Sequence, residues 1–108
     1  MHHIFVASDG TGQTAEQAVR AAMMQFPDQI IEIRRFSDIR TVSQLQELVQ
    51  LAVQQQAFIV HTLVSDKLRE ELFRIARLRN VETIDLMGPL LDRMSDQFSA
   101  NPSEQPGL

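Results

Sequence analysis

The stretch that decides the fold is His3-Ile4-Phe5-Val6-Ala7-Ser8-Asp9-Gly10-Thr11-Gly12-Gln13-Thr14-Ala15-Glu16-Gln17-Ala18-Val19. Residues 3–8 form a short apolar run that ends in a turn-prone cluster, the pattern of a buried strand. After the glycines at 10 and 12, Ala15, Ala18, Val19, Ala22, Met23 and Phe26 recur at helical spacing and define one apolar face. A strand that passes through a glycine-containing loop into an amphipathic helix is the opening of a βα unit.

Working outward, the unit repeats. Pro27 stops the first helix, because proline cannot continue it and restrains the residue before it. Residues 29–36 read as a second strand with Ile31 and Ile33 on one face. Arg34 and Arg35 fall on opposite faces of it, so at most one can look toward a ligand. Val42, Leu45, Leu48, Val49, Ala52 and Val53 mark a second helix, with Thr41 or Ser43 as its cap. Residues 57–63 are the most apolar strand and are expected at the centre of the sheet. Ser65 opens a third helix carrying Leu68, Leu72, Ile75 and Ala76, which Asn80 terminates, and residues 81–86 suggest a fourth strand. Gly88 and Pro89 begin a last helix, where proline suits the first turn, with Leu91, Met94 and Phe98 expected to face inward.

No hairpin signal separates any two strands, and parallel strands need helical, right-handed crossovers. The predicted fold is therefore α/β: a three-layer sandwich in which a parallel four-stranded sheet carries helices on both faces, Rossmann-like or flavodoxin-like. Residues 1–98 are expected to form this domain. Residues 99–108, with Pro102 and Pro106 and little apolar content, read as a linker or a frayed end.

Composition narrows the function classes. The 108 residues are 44% hydrophobic, enough for one core. Without cysteine there are neither disulfides nor thiolate metal sites. No apolar run approaches the roughly 18 residues of a membrane span, and no signal segment opens the chain, so a cytoplasmic location is expected. A formal net charge of −4 argues against general affinity for nucleic acid or an anionic membrane. Lys67 is the sole lysine, and Tyr and Trp are absent, which removes the usual stacking platforms for flat cofactors.

In open parallel sheets, ligands bind outside the carboxyl ends of the strands. The loop Ser8-Asp9-Gly10-Thr11-Gly12-Gln13-Thr14 lies at that edge. Glycines 10 and 12 permit close approach of a ligand, and the hydroxyls of Ser8, Thr11 and Thr14 with free helix-start amides suit an anion such as phosphate. Alternatively, Thr11 and Thr14 cap the helix and the glycines make the turn. Asp9 is a general base or a turn former. His61 and Thr62 end the third strand and Asp85 the fourth; each either reaches the cleft or serves the structure, His61 as a hydrogen-bonder and Asp85 as a cap. Glu70 and Glu71 beside Arg69, Arg74 and Arg77 read as a solvated face. His2 and His3 point to opposite faces of a strand, and no residue set has metal-site spacing. Ala15 stands where a Rossmann fingerprint needs its last glycine, and no lysine accompanies a glycine loop as a P-loop requires.

The segment from Ile4 to Glu16, the helix ending in Gln25-Phe26, Thr62-Leu63-Val64, Asp85-Leu86-Met87-Gly88-Pro89-Leu90-Leu91 and the terminal Pro102 to Pro106-Gly107 resemble the N-terminal half of the regulatory proteins of PEP synthase and of pyruvate, phosphate dikinase. That family is more than twice as long, and its P-loop with its lysine lies in the second half. The resemblance implies a piece of a longer bifunctional enzyme, with residues 99–108 leading toward the P-loop domain. It implies ADP-dependent phosphorylation of a threonine on the dikinase or synthase and Pi-dependent phosphorolysis of it. ADP and Pi would serve the full-length protein, with no cofactor and no activity in this portion alone, and homodimerisation is left open. A flavodoxin-like phosphate or FMN-binding module is the alternative, since Thr11-Gly12-Gln13-Thr14 also fits a flavodoxin phosphate loop.

Overall fold

A computed structural model describes residues 1–107. The strands are β1 (His2–Ala7), β2 (Ile31–Phe36), β3 (Phe58–His61) and β4 (Thr83–Asp85). They alternate with α1 (Gln13–Met23), α2 (Val42–Gln55), α3 (Asp66–Leu78) and α4 (Gly88–Phe98). All pairings are parallel, in the order β2-β1-β3-β4. The expected Rossmann-like α/β arrangement is the one observed, with β1 sharing the centre with β3.

The alternation of β1 builds two cores. Ile4 and Val6 pack under α1 with Ala15, Val19 and Val60. Phe5 and Ala7 point the other way, into a larger cluster with Leu45, Leu48 and Val49 of α2 and Leu68, Leu72 and Ile75 of α3. The chain crosses from β2 past β1 to β3, so the loops after β1 and β3 leave toward opposite faces. A crevice opens between them at this reversal of strand order. Caps set where the flanking helices begin. Thr41, not Ser43, caps α2 in a reciprocal capping box: its hydroxyl accepts from Gln44 N at 3.2 Å and Gln44 Oε1 accepts from Thr41 N at 3.0 Å. Ser65 Oγ accepts from Leu68 N at 3.2 Å and starts α3.

Two expectations need correction. Helix α1 ends at Met23, leaving Phe26 58% exposed, and Ala18 and Ala22 are exposed as well. Phe26 lies in the turn before Pro27, where no helical face remains to carry it inward. In α4, Met94 and Phe98 are exposed and Leu91 only half-buried; Gly88 is the one buried residue. Helix α4 follows the edge strand β4 and leaves Met94 and Phe98 to solvent rather than laying them on the sheet. Spacing identifies an apolar stripe but not what covers it. Residues 102–107 lie back against the domain, with Asp66 N donating to Glu104 Oε1. On the α1 side, the sheet over β3 and β4 stays uncovered, forming an apolar groove of about 610 Å³ lined by Val19, Met23, Phe58, Ile84 and Leu86 among others. Among the described residues no helix is long and apolar enough to cross a membrane.

Candidate functional site

The loop between β1 and α1 is held from three sides. Ser8 N donates to Phe36 O at 3.0 Å and Ile39 N to Ser8 O at 3.1 Å, which docks the loop on the end of β2. Asp38 N donates to Gly10 O at 2.9 Å, and Arg40 donates to the carbonyl of Asp9. The Asp9 carboxylate is buried and accepts from Val64 N at 2.9 Å, tying the loop to the segment after β3. Its position is that of a turn and crossover clamp. Ser8 Oγ accepts from Gly10 N at 2.9 Å and closes the turn.

With its carbonyls engaged, the loop directs donors inward. Gly12 takes φ 86°, the left-handed conformation that glycine adopts without penalty, at the N-cap of α1. No side chain caps this helix. Gln13 N donates to Thr11 Oγ1 at 3.3 Å, whereas the amides of Gly12 and Thr14 meet no acceptor among the described residues. Ser8, Asp9, Gly10, Thr11, Gly12, Thr14 and Thr62 all line one cavity of about 80 Å³, with Val64, Met87 and Gly107. Thr62 is only 6% exposed and lines the same cavity; no hydrogen bond among the described residues engages its hydroxyl. Free amides at a helix start are groups that suit a small anion.

The charge behind the loop is balanced. Arg35 lays its aliphatic carbons against Gly12, and its Nε donates to Glu16 Oε1 at 3.0 Å. Arg20 holds the other oxygen at 2.9 Å. These hydrogen bonds, Arg20's first and then Arg35's, hold the Glu16 carboxyl below its ordinary pKa. Arg34 turns to the other face, over the rings of Phe36 and Phe5. Neither Arg34 nor Arg35 lines the loop cavity.

His61 and Asp85 go elsewhere. Strand alternation sends His61 to the α3 face and Thr62 to the α1 face. His61 and Asp85 line a second cleft of about 540 Å³ with Asp66, Arg69, Glu70 and Asp92. His61 is 3% exposed, and its Nδ1 accepts from Leu63 N at 3.5 Å. Burial lowers its pKa and Arg69 lowers it further, while Asp85 and Asp9 oppose the shift. Asp85 Oδ1 accepts from Met87 N at 3.0 Å and Gly88 N at 2.7 Å; Oδ2 lies 3.6 Å from Arg69 Nε. It caps the turn into α4. Among the described residues no three His, Cys, Asp or Glu could hold a metal. Sequence reading missed Arg40, which pins the loop from just before the α2 cap and carries no periodic or motif signal, and it placed Met87 and Gly107 in the segments of family resemblance without marking them as cavity walls.

The kinase/pyrophosphorylase family model matches residues 4–108. The chain belongs to the kinase/pyrophosphorylase family. Among curated relatives it is 39% identical over 105 residues to a protein of Shouchella clausii, 36% over 105 residues to one of Halothermothrix orenii and 38% over 108 residues to one of Geotalea daltonii. Each is provisionally named a pyruvate, phosphate dikinase regulatory protein. The matches cover 97%, 97% and 100% of this chain but 39%, 39% and 40% of the relatives, so the chain spans about two fifths of their length. In this member of the kinase/pyrophosphorylase family, the Ser8–Thr14 loop, Thr62 and Val64 line one cavity.

Proposed function

We propose that this domain is the N-terminal portion of a regulatory kinase/phosphorylase acting on pyruvate, phosphate dikinase, and that its loop cavity holds a phosphoryl group during that work. In the forward direction ADP would give its terminal phosphoryl to a threonine hydroxyl, leaving AMP. In the reverse direction Pi would take the phosphoryl from phosphothreonine, leaving pyrophosphate and the free hydroxyl. The observation that carries the reading is that Gly12 and Thr14, whose amides meet no acceptor among the described residues, and Thr62 line one cavity of about 80 Å³. That space fits a phosphate group and is far below the roughly 300–1,000 Å³ of pockets that enclose whole small-molecule ligands. The residues present thus fit Pi or a phosphorylated side chain, and not an entire nucleotide. Nucleotide binding is assigned to the additional length of the relatives, and these 108 residues alone are expected to transfer no phosphate.

The test is direct. A polypeptide continuing these residues to the relatives' length is incubated with the dikinase, or with PEP synthase, and ADP. Threonine phosphorylation of one target supports the reading, and no change in either target refutes it. The order β2-β1-β3-β4 also matches the first four strands of a flavodoxin-like sheet, which favours FMN as the second reading. No aromatic ring lines the loop cavity, however. Flavin absorbance retained by the protein after FMN addition and desalting would support that reading instead.

A further inference from the structure

Residues 102–107 run back along the carboxyl edge of the sheet. Pro102 and Pro106 bracket Ser103, Glu104 and Gln105, and all six residues are exposed. The segment is nonetheless tied down. Ser103 Oγ accepts from Gln105 N at 3.3 Å, closing a turn around Glu104. Glu104 stands at φ 59°, a conformation uncommon for residues other than glycine. This kink carries its carboxylate to the start of α3, where Asp66 N donates to Glu104 Oε1 at 2.7 Å. A carboxylate is favoured there by the unpaired amides and positive end of the helix. Glu104, Gln105 and Pro106 then wall a groove of about 550 Å³ opposite Arg40, Thr41 and Lys67. Beyond it the Gly107 carbonyl oxygen comes within 3.0 Å of where a Cβ on Gly10 would stand, and Gly107 forms one wall of the loop cavity.

We propose that residues 102–107 are a releasable strap that closes the mouth of the loop cavity. It presents a carboxylate and a carbonyl oxygen, acceptor groups like those of an anion, along the edge an anion must approach. Its two prolines limit the freedom of the released segment and so reduce the entropy lost on docking. One charge-assisted hydrogen bond to an exposed amide holds such a segment closed most but not all of the time. The gating role rests on the reading of the loop as an anion site; the docking of the strap does not.

If the strap is closed roughly 80% of the time, the apparent affinity for an anion is reduced about fivefold, since only the open fraction binds. Backbone amide spectra of the 108-residue chain, of Glu104→Ala and of Glu104→Gln, each titrated with inorganic phosphate, test both parts. Release by Glu104→Ala is expected to move the amide signals of Asp66 and Gly10 before phosphate is added, and to tighten phosphate binding at the loop about fivefold. Glu104→Gln, which keeps an acceptor but loses the charge, is expected to fall between. An Asp66 signal that moves while Gly10 stays fixed would overturn closure over the loop, and so would equal phosphate affinity in all three chains that bind it. Should none of them bind phosphate, the anion reading of the loop fails on its own. The strap is then judged by Asp66 and Gly10 alone: both moving supports it, and neither moving overturns it.

Discussion

Replacing Gly12 by alanine tests the geometry on which the loop cavity depends. At φ 86° a Cβ is strained whatever space surrounds it, and the left-handed conformation costs an L-residue about 1–2 kcal/mol. The space is also occupied, because the new carbon would lie 2.9 Å from Arg35 Cγ and 3.1 Å from Cδ. Arg35 is partly exposed and can give way, but only by loosening its bond to Glu16, so the overlap adds about 1 kcal/mol, the low end for overpacking. The expected loss is about 2–3 kcal/mol, or a fall in Tm of about 10 °C for a domain of this size. Urea unfolding at neutral pH, followed by far-ultraviolet circular dichroism, measures it. The same substitution in an Arg35→Ala background should cost about 1 kcal/mol less, since the overlap is gone and the backbone penalty remains. A loss below about 0.5 kcal/mol, the range of neutral surface changes, would refute the left-handed N-cap and the packing of Arg35 against it.

His61 is buried with a lowered pKa, so below its ordinary value of 6.5 the unfolded chain binds more protons than the folded one. Stability should therefore fall as pH drops from 6.5 toward the folded pKa, and His61→Asn should flatten that part of the pH profile in urea titrations. Phe98→Ser should change stability by no more than about 0.5 kcal/mol because α4 is exposed, whereas Leu45→Ala in the core should cost about 2–5 kcal/mol; thermal unfolding of the pair compares them. Asp85→Ala should cost about 1–2 kcal/mol by freeing the amides of Met87 and Gly88, and leave phosphate binding at the loop unchanged in amide titrations.

Much of the sheet was legible because each strand and helix states its own period. Ile4 and Val6 against Phe5 and Ala7 already encode two cores, and the hydroxyls of Thr41 and Ser65 stand where the helices begin. Helix α4 is legible as an amphipathic helix but not as an exposed one: Met94 and Phe98 recur correctly, and their spacing does not say what covers them. Thr62 and His61 were marked together at the end of β3. Their separation follows from strand alternation, but which face holds the loop depends on the crossover from β2 to β3. The segment at 102–107 was opaque for a different reason. Proline, serine and glutamate make a good linker and an equally good strap, and only the amide at Asp66 distinguishes them. Arg40 belongs with it, since an arginine that pins a backbone carbonyl 31 residues away leaves no local pattern.

The central claim is that the loop and Thr62 together hold a phosphoryl group, and Thr62→Val tests it most directly. Valine keeps the shape of threonine and removes a hydroxyl that makes no hydrogen bond among the described residues, so folding stability should change little. Phosphate titration of the wild-type chain should move the Gly12 and Thr14 amides saturably. In Thr62→Val the affinity should fall about tenfold, the worth of one hydrogen bond to a charged group. Loop amides that ignore phosphate, or an affinity untouched by the loss of the Thr62 hydroxyl, would contradict it.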